Sequence, residues 1–208
     1  MESRMNPSNE VVPLASPHRE QVAEALTCAF QPDPLYTYAF PDPERRTRMM
    51  RMLWRALVKY TLLYGDGYTT PDVKGVACWL PPGDTVMTAW RTLRSGLWIM
   101  PVRAGREERR RFFGVLGHLD EIHKRTMSIP HWYLLLLGVD PDLQGQGVGG
   151  KLIAPVLARA DDERLPCYLE TQTERNVRFY RKHGFEVATE GKIPGHGVMA
   201  WTMIREPI

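Results

Sequence analysis

The sequence predicts an α/β protein, and three observations predict it. Short apolar runs bounded by Gly, Pro and Asp alternate with stretches whose apolar residues repeat at helical spacing. One such run, Trp132–Leu137, leads through Asp140-Pro141-Asp142 to Gly145, Gly147, Gly149 and Gly150, and a helical pattern begins at Lys151. The composition, 43% hydrophobic and 25% charged over 208 residues, suits one globular domain able to bury a core.

Residues 1–10 are polar and read as a disordered, frayed end. Val11–Leu14 is a short first strand, and Ser16-Pro17 a helix start, a cap hydroxyl followed by proline. Val22, Leu26 and Phe30 carry that helix. Pro32, Pro34, Pro41 and Pro43 then break helix formation around Leu35, Tyr36, Tyr38 and Phe40. From Glu44 to Tyr64, Met49, Leu53, Leu57 and Tyr60 repeat at 3.6 spacing opposite a row of arginines, a strong helix. Gly67–Thr70 and Val73–Leu80 read as a hairpin with Pro71-Asp72 in its bend. Val86–Met100 and Arg106–His123 look helical; the basic run Arg106–Arg111 reads as a solvated face.

The run Trp132–Val139 is too short for a helix and reads as a strand buried on both faces. Leu152–Ala160 continues the helix after the glycines, with Pro155 placed close to its start. Pro166–Glu170 is a strand, and Glu174–His183 a helix that Gly184 ends. Phe185–Lys192 and Val198–Arg205 make a last hairpin across Pro194-Gly195-His196-Gly197.

Several function classes lose support. A net charge of +3 is too small to argue for nucleic acid. No apolar run reaches the length of a membrane span. Cys28, Cys78 and Cys167 are scattered in apolar stretches and read as buried free thiols in a reducing cytoplasm. No ligand pairs stand at metal spacing.

A strand, a glycine loop and a helix form a device for holding phosphate, because glycine lets the backbone approach and the first helical N–H groups are unpaired. Gly145–Lys151 has the G-x-x-x-x-G-K of a nucleotide P-loop, but Leu152 replaces the Ser or Thr that holds magnesium. Gly145, Gly147 and Gly150 match a dinucleotide fingerprint, with Glu170 about twenty residues on, yet Asp140–Gln144 separate them from the strand. A glycine-rich turn with no ligand is the plainest alternative.

Gln144-Gly145-Gln146-Gly147-Val148-Gly149, read as Q-x-x-G-x-G after V-D-P, resembles the acetyl-CoA loop of the Gcn5-related N-acetyltransferase (GNAT) superfamily. Asn176, Phe179-Tyr180 and Gly184-Phe185 resemble its second signature. The likeness extends along nearly the whole chain, through A-F-x-x-x-P at Ala29–Pro34, V-A-C-W-x-x-P at Val76–Pro82 and L-E-T at Leu169–Thr171. It looks nearest to puromycin N-acetyltransferase-like members, with the last third its specific part.

The resemblance implies an α+β fold: a mixed, mostly antiparallel sheet of about seven strands flanked by helices, over a single domain 11–208. Residues 85–126 are then a helical insertion beside the substrate. It implies acetyl-CoA as donor and a primary amine, of a small molecule, as acceptor. In the family the glycine-loop strand splays from the next, so pantetheine would lie between Trp132–Val139 and Pro166–Glu170. Gly145, Gly147, Val148 and Gly149 would bind pyrophosphate, with Gln144, Gln146 and Gly150 completing the loop. Leu137, Gly138 and Val139 main chain would meet pantetheine and the acetyl carbonyl. Asn176 and Phe179 would contact the cofactor, and Tyr180 is the expected general acid.

Glu170 is the candidate base, with His131 and His196 as loop alternatives that are more often solvated, and Glu186 as structural. Phe30, Tyr36, Tyr38 and Trp79 form an expected aromatic acceptor pocket. The expected state is a monomer or homodimer with no nucleic-acid or membrane partner and no metal. A CoA-binding sensor without turnover, or a protein N-acetyltransferase, remains the alternative.

Overall fold

The computed structural model describes residues 10–208; the end expected to be frayed, save Glu10, lies outside the described residues. The elements in order are β1 (Val12–Pro13), α1 (Arg19–Phe30), α2 (Pro34–Ala39), α3 (Pro43–Tyr64), β2 (Asp66–Thr69) and β3 (Gly75–Leu80). Three helices follow, α4 (Ala89–Ser95), α5 (Ile99–Arg103) and α6 (Arg106–Thr126), then β4 (Trp132–Val139) and α7 (Val148–Glu163). The chain closes with β5 (Cys167–Thr171), α8 (Glu174–Arg181), β6 (Glu186–Lys192) and β7 (Met199–Arg205). These seven strands form one mixed sheet in the order β1-β2-β3-β4-β5-β7-β6, antiparallel everywhere except β4–β5.

The sequence explains most of these elements directly. In α3, Asp42 accepts from the Arg45 N–H at 2.7 Å, and Pro43 opens the first turn where its missing donor costs nothing. The same device builds α2, which the prolines had argued against. Asp33 accepts from the Leu35 N–H at 2.9 Å and Pro34 takes the first helical position. A proline one residue after a capping Asp starts a helix rather than stopping one.

Other expectations are corrected. Ser16 makes no cap; Ala15 precedes a 3-10 turn, and its N–H meets His18 Nδ1 at 3.1 Å. The helix expected over Val86–Met100 is two short ones, because Gly96 turns the chain left-handed at φ 93°. Pro155 sits in the middle of α7, since that helix already begins at Val148; buried Leu152, Ile153, Val156 and Leu157 hold it against the sheet. Cys28 is exposed, immediately after buried Thr27 on α1, whereas Cys78 and Cys167 are buried and free.

Two apolar layers cover the sheet. On one face, α1 and α3 meet Val76, Cys78, Leu80 and Leu136. On the other, α7 meets Ala77, Trp79, Trp132 and Leu134, and α8 adds Val177 and Tyr180. The expectation that β4 is buried on both faces does not hold: buried and half-buried residues alternate along it. Its register against β3 steps from Cys78↔Leu136 to Trp79↔Leu134, so Leu135 is an extra residue. Such a bulge bends a strand and re-aims the side chains that follow it.

At the far end of the sheet, Arg205 donates two hydrogen bonds to Asp161, each 2.7 Å, and its side chain is only 5% exposed. The Asp161 carboxyl is held below its usual range, first by these bonds. Asp161→Ala would leave a buried guanidinium without its partner and should cost about 3 kcal/mol in a urea titration near neutral pH. A lowered carboxylate pKa stabilises above its unfolded value and is lost as pH falls through the folded one. The difference between the two proteins should therefore shrink in acid.

Candidate active site

The two inner strands of the sheet part company. β4 and β5 pair only at Trp132↔Cys167 and Tyr133↔Tyr168. Beyond that point each remains paired on its outer side, β4 with β3 and β5 with β7. The inner edges of Leu134–Val139 and Leu169–Thr171 therefore flank a cleft with backbone groups that no strand satisfies. The bulge at Leu135 lies at the root of this fork.

The glycine loop closes the same end of β4. Gln144 donates its amide to the Val139 carbonyl at 3.0 Å, and Gln146 donates to the Asp142 carbonyl at 2.8 Å. Both expected cofactor contacts thus hold the loop in shape. The four glycines divide by role. Gly145 and Gly147 take left-handed φ of 80° and 82°, and a side chain built on either would meet nothing within 4 Å. Gly149 and Gly150 instead allow close packing: a Cβ would stand 3.2 Å from Phe179 and 2.7 Å from His183. Phe179 accordingly supports the loop from behind. The cap of α7, Gly147, offers no side chain, so its first-turn N–H groups face open space.

A cavity of about 600 Å³ runs from the fork to the helices of the opposite wall. Leu134–Leu137, Glu170, Thr171, Asn176 and Tyr180 form its strand side, and Phe30, Tyr36, Trp98 and Phe112 are among its aromatic wall. Phe30 and Tyr36 join Trp54 and Phe112 in an aromatic cluster with ring centroids 5.1 to 6.2 Å apart. Two expected pocket residues lie elsewhere. Trp79 is fully buried on the α7 face, because odd positions of β3 point away from the cavity. Tyr38 leaves the cavity to bond His196 Nδ1 at 3.0 Å. Gly138 is placed by α1, for a Cβ there would stand 2.5 Å from Leu26.

Glu170 accepts a 2.7 Å hydrogen bond from the Tyr133 hydroxyl. Burial pushes its carboxyl up to about 7, with the Tyr133 and Tyr168 hydroxyls pulling it back. Tyr180 is 7% exposed, edge-on to Phe179 and Phe185. Burial raises its pKa, and its hydroxyl makes no hydrogen bond among the described residues. Asn176 donates its amide to Thr171 Oγ1 at 3.0 Å, which fixes the start of α8 against the end of β5. Of the loop histidines, one is half-buried and the other buried. His196 lies against Gly114, and His131 is 4% exposed with its Nε2 2.7 Å from His123 Nε2.

His123, Tyr133, Asp33 and Phe112 also line the cavity and escaped the sequence reading. A signal existed for two of them: Phe112, Val115, Leu119 and His123 follow one buried stripe of α6.

A splayed parallel pair, a bulge at its root and a glycine loop on a helix N-terminus thus frame one continuous cleft. Residues 106–187 match the model of the acetyltransferase (GNAT) domain. The chain is 29% identical over 172 residues to an uncharacterised N-acetyltransferase of Schizosaccharomyces pombe, covering 80% of this chain and 70% of that one. Its fold resembles a histone acetyltransferase HPA2-related acetyltransferase of Corynebacterium glutamicum, with TM-score 0.68 and 22% identity, covering 95% and 96% of the two chains. It also resembles arylalkylamine N-acetyltransferase 2 of Aedes aegypti, with TM-score 0.61 and 15% identity, over 95% and 98%. Residues 106–187 thus match a GNAT acetyltransferase domain and the described chain shares its fold with acetyltransferases, likenesses that support an acyltransferase enzyme. Among the described residues, no helix is long and apolar enough to cross a membrane.

Proposed function

We propose that the protein transfers an acetyl group from acetyl-CoA to the primary amine of a small molecule, directly, within a ternary complex. The observation that carries this reading is the continuity of the β4–β5 fork with a largely apolar cavity in which Glu170, at the end of β5, is a raised carboxylate. The residues fit the donor. The open space above Gly145 and Gly147 suits a pyrophosphate, and the unpaired inner edge of Leu134–Val139 suits the amides of pantetheine. Acetyl-CoA would supply the acetyl group as a thioester. A cavity of this size with aromatic walls fits a compact amine better than an extended peptide. The shared fold with an arylalkylamine N-acetyltransferase agrees with such an acceptor.

In this reading Glu170 takes a proton from the bound ammonium, and Tyr133 steadies the carboxylate. The freed amine attacks the thioester carbon; the C–N bond forms as the C–S bond breaks, and the nitrogen releases its second proton to solvent as the neutral amide forms. Tyr180 gives its proton to the departing sulfur and regains one from solvent. Cys78 and Cys167 are pushed up to about 12 by burial and Cys28 lies outside the cavity, so no thiol is poised for an acyl-enzyme route.

The test is an amine panel read by release of the free CoA thiol, with Gly147→Asp beside the native protein. Asp is among the residues that adopt a left-handed backbone with least strain and its Cβ meets no neighbour, yet it sets a charge where the pyrophosphate would sit. CoA affinity measured by calorimetry should fall at least ten-fold, about 1.4 kcal/mol. Unchanged affinity in the folded variant would remove the loop from the site, and a native protein that acetylates no amine would refute the activity.

A further inference from the structure

The unassigned groups of the cavity centre on two histidines. His131 Nδ1 is 2.7 Å from the Ile129 carbonyl, which can only accept, so Nδ1 carries the proton. His131 Nε2 must then accept, and the 2.7 Å contact makes His123 Nε2 the donor. His123 Nδ1 is left as a bare acceptor. It has no partner among the described residues, and the ring lies on the cavity wall, stacked on Tyr168 at 4.3 Å with 6° between planes. Three contacts thus fix one ring, one tautomer and one lone pair. Burial, then the neighbouring His131, lowers His123 to about 4, so the ring is neutral at working pH.

The surroundings decide what that lone pair can meet. Asp120, one turn earlier on the same wall, is paired with Lys124 at 2.6 Å. That carboxylate already has its cation. On its other side the ring lies 4.7 Å from that of Tyr133, whose hydroxyl bonds Glu170. The reacting ammonium belongs with Glu170, and a different part of the acceptor would reach His123.

We propose that His123 is a specificity-determining residue: its Nδ1, fixed through His131, accepts a hydrogen bond from a neutral donor, a hydroxyl or an amide N–H, that the acceptor carries apart from its reacting nitrogen. This rests on the N-acetyltransferase reading above. His131 is a positioning residue, setting the tautomer and touching no substrate.

The experiment compares kcat/KM for matched primary amines: phenylethylamine against tyramine, propylamine against aminopropanol, and hexylamine against aminohexanol and aminohexanamide. The last pair separates a hydroxyl from an amide donor. The native protein should prefer the donor-bearing member of at least one set by about three- to ten-fold, the size of one neutral hydrogen bond. His123→Phe keeps the stacked ring and removes the nitrogens, so that ratio should collapse to about one. His123→Asn, which keeps an acceptor near Nδ1, should retain part of it. A merely structural role would change rates without moving the ratio. If His123→Phe fails to fold because it strands His131 Nε2, the His123→Phe/His131→Phe double variant takes its place. A native ratio near one in every set, a ratio that survives the Phe variant, or Asn and Phe variants that behave alike would each overturn the proposal. Acetylation of none of these amines would overturn the activity itself and this inference with it.

Discussion

Tyr180→Phe should bind CoA as the native protein does and turn over about 10²–10⁴ times more slowly. The substitution keeps the ring that packs edge-on between Phe179 and Phe185 and deletes only the hydroxyl. No protein partner is lost with it, so neither the fold nor the neighbouring glycine loop has reason to shift. The direction of the Tyr180 shift matters here. A raised phenol is a weaker acid in water, but a thiolate expelled into the same buried site is destabilised by the same loss of solvent. Both proton affinities rise together, and the transfer stays close to balanced. The measurement is kcat across pH for both proteins, beside calorimetric CoA binding. Normal turnover by the variant would hand the proton delivery to solvent. Loss of CoA binding with the fold intact would make Tyr180 a binding residue.

Glu170→Gln should lower kcat by a similar factor, about 10²–10⁴, and change the shape of the pH profile. Native kcat/KM should rise with pH through about 7, as the carboxyl loses its proton and becomes able to take one from the ammonium. Gln keeps the shape and can still accept from Tyr133, so the variant should lack that limb. Stability separates this outcome from misfolding. Folding raises the Glu170 pKa from 4.5 to about 7, so its favourable contribution is present below about 4.5 and disappears as pH climbs to 7. Gln carries no such burden, and above about pH 7 the variant should melt no lower than the native protein. A rising limb that persists in Glu170→Gln would send the proton to another group.

The parts of the site that lie close in sequence were legible in it. The loop from Val139 to Lys151 and the segment from Asn176 to Phe185 are continuous, and their order along the chain is their order in space. The fold class was legible because each strand run was short and punctuated. What depended on facing directions was not. Val76–Leu80 is buried along its whole length, so its sequence gave no sign that Trp79 faces α7 and Cys78 faces α1. The uniform leucines of Trp132–Val139 likewise hid the bulge at Leu135, which is a property of its pairing with β3. Asp33-Pro34 looked like an interruption because proline's helix-breaking and helix-starting roles differ only by position. His123 was concealed in a highly charged helix. Its meaning comes from His131 and Tyr168, which only the folded chain brings to it.

The short seam between β4 and β5 has a mechanical consequence. Two residue pairs and the Tyr133–Glu170 hydrogen bond join a four-strand panel to a three-strand panel, and the other strand pairings lie within each panel. Cohesion across that seam falls to α7, which lies over β3 and β4 and clasps the end of β7 through Asp161 and Arg205. The clasp and the ligand cleft therefore load the same joint from opposite ends. Cutting the clasp lets the panels rock, and a ligand wedged in the fork must then supply rigidity that the native chain already has. The cost of Asp161→Ala should accordingly appear in ligand affinity as well as in melting, although neither side chain is among the residues of the cleft.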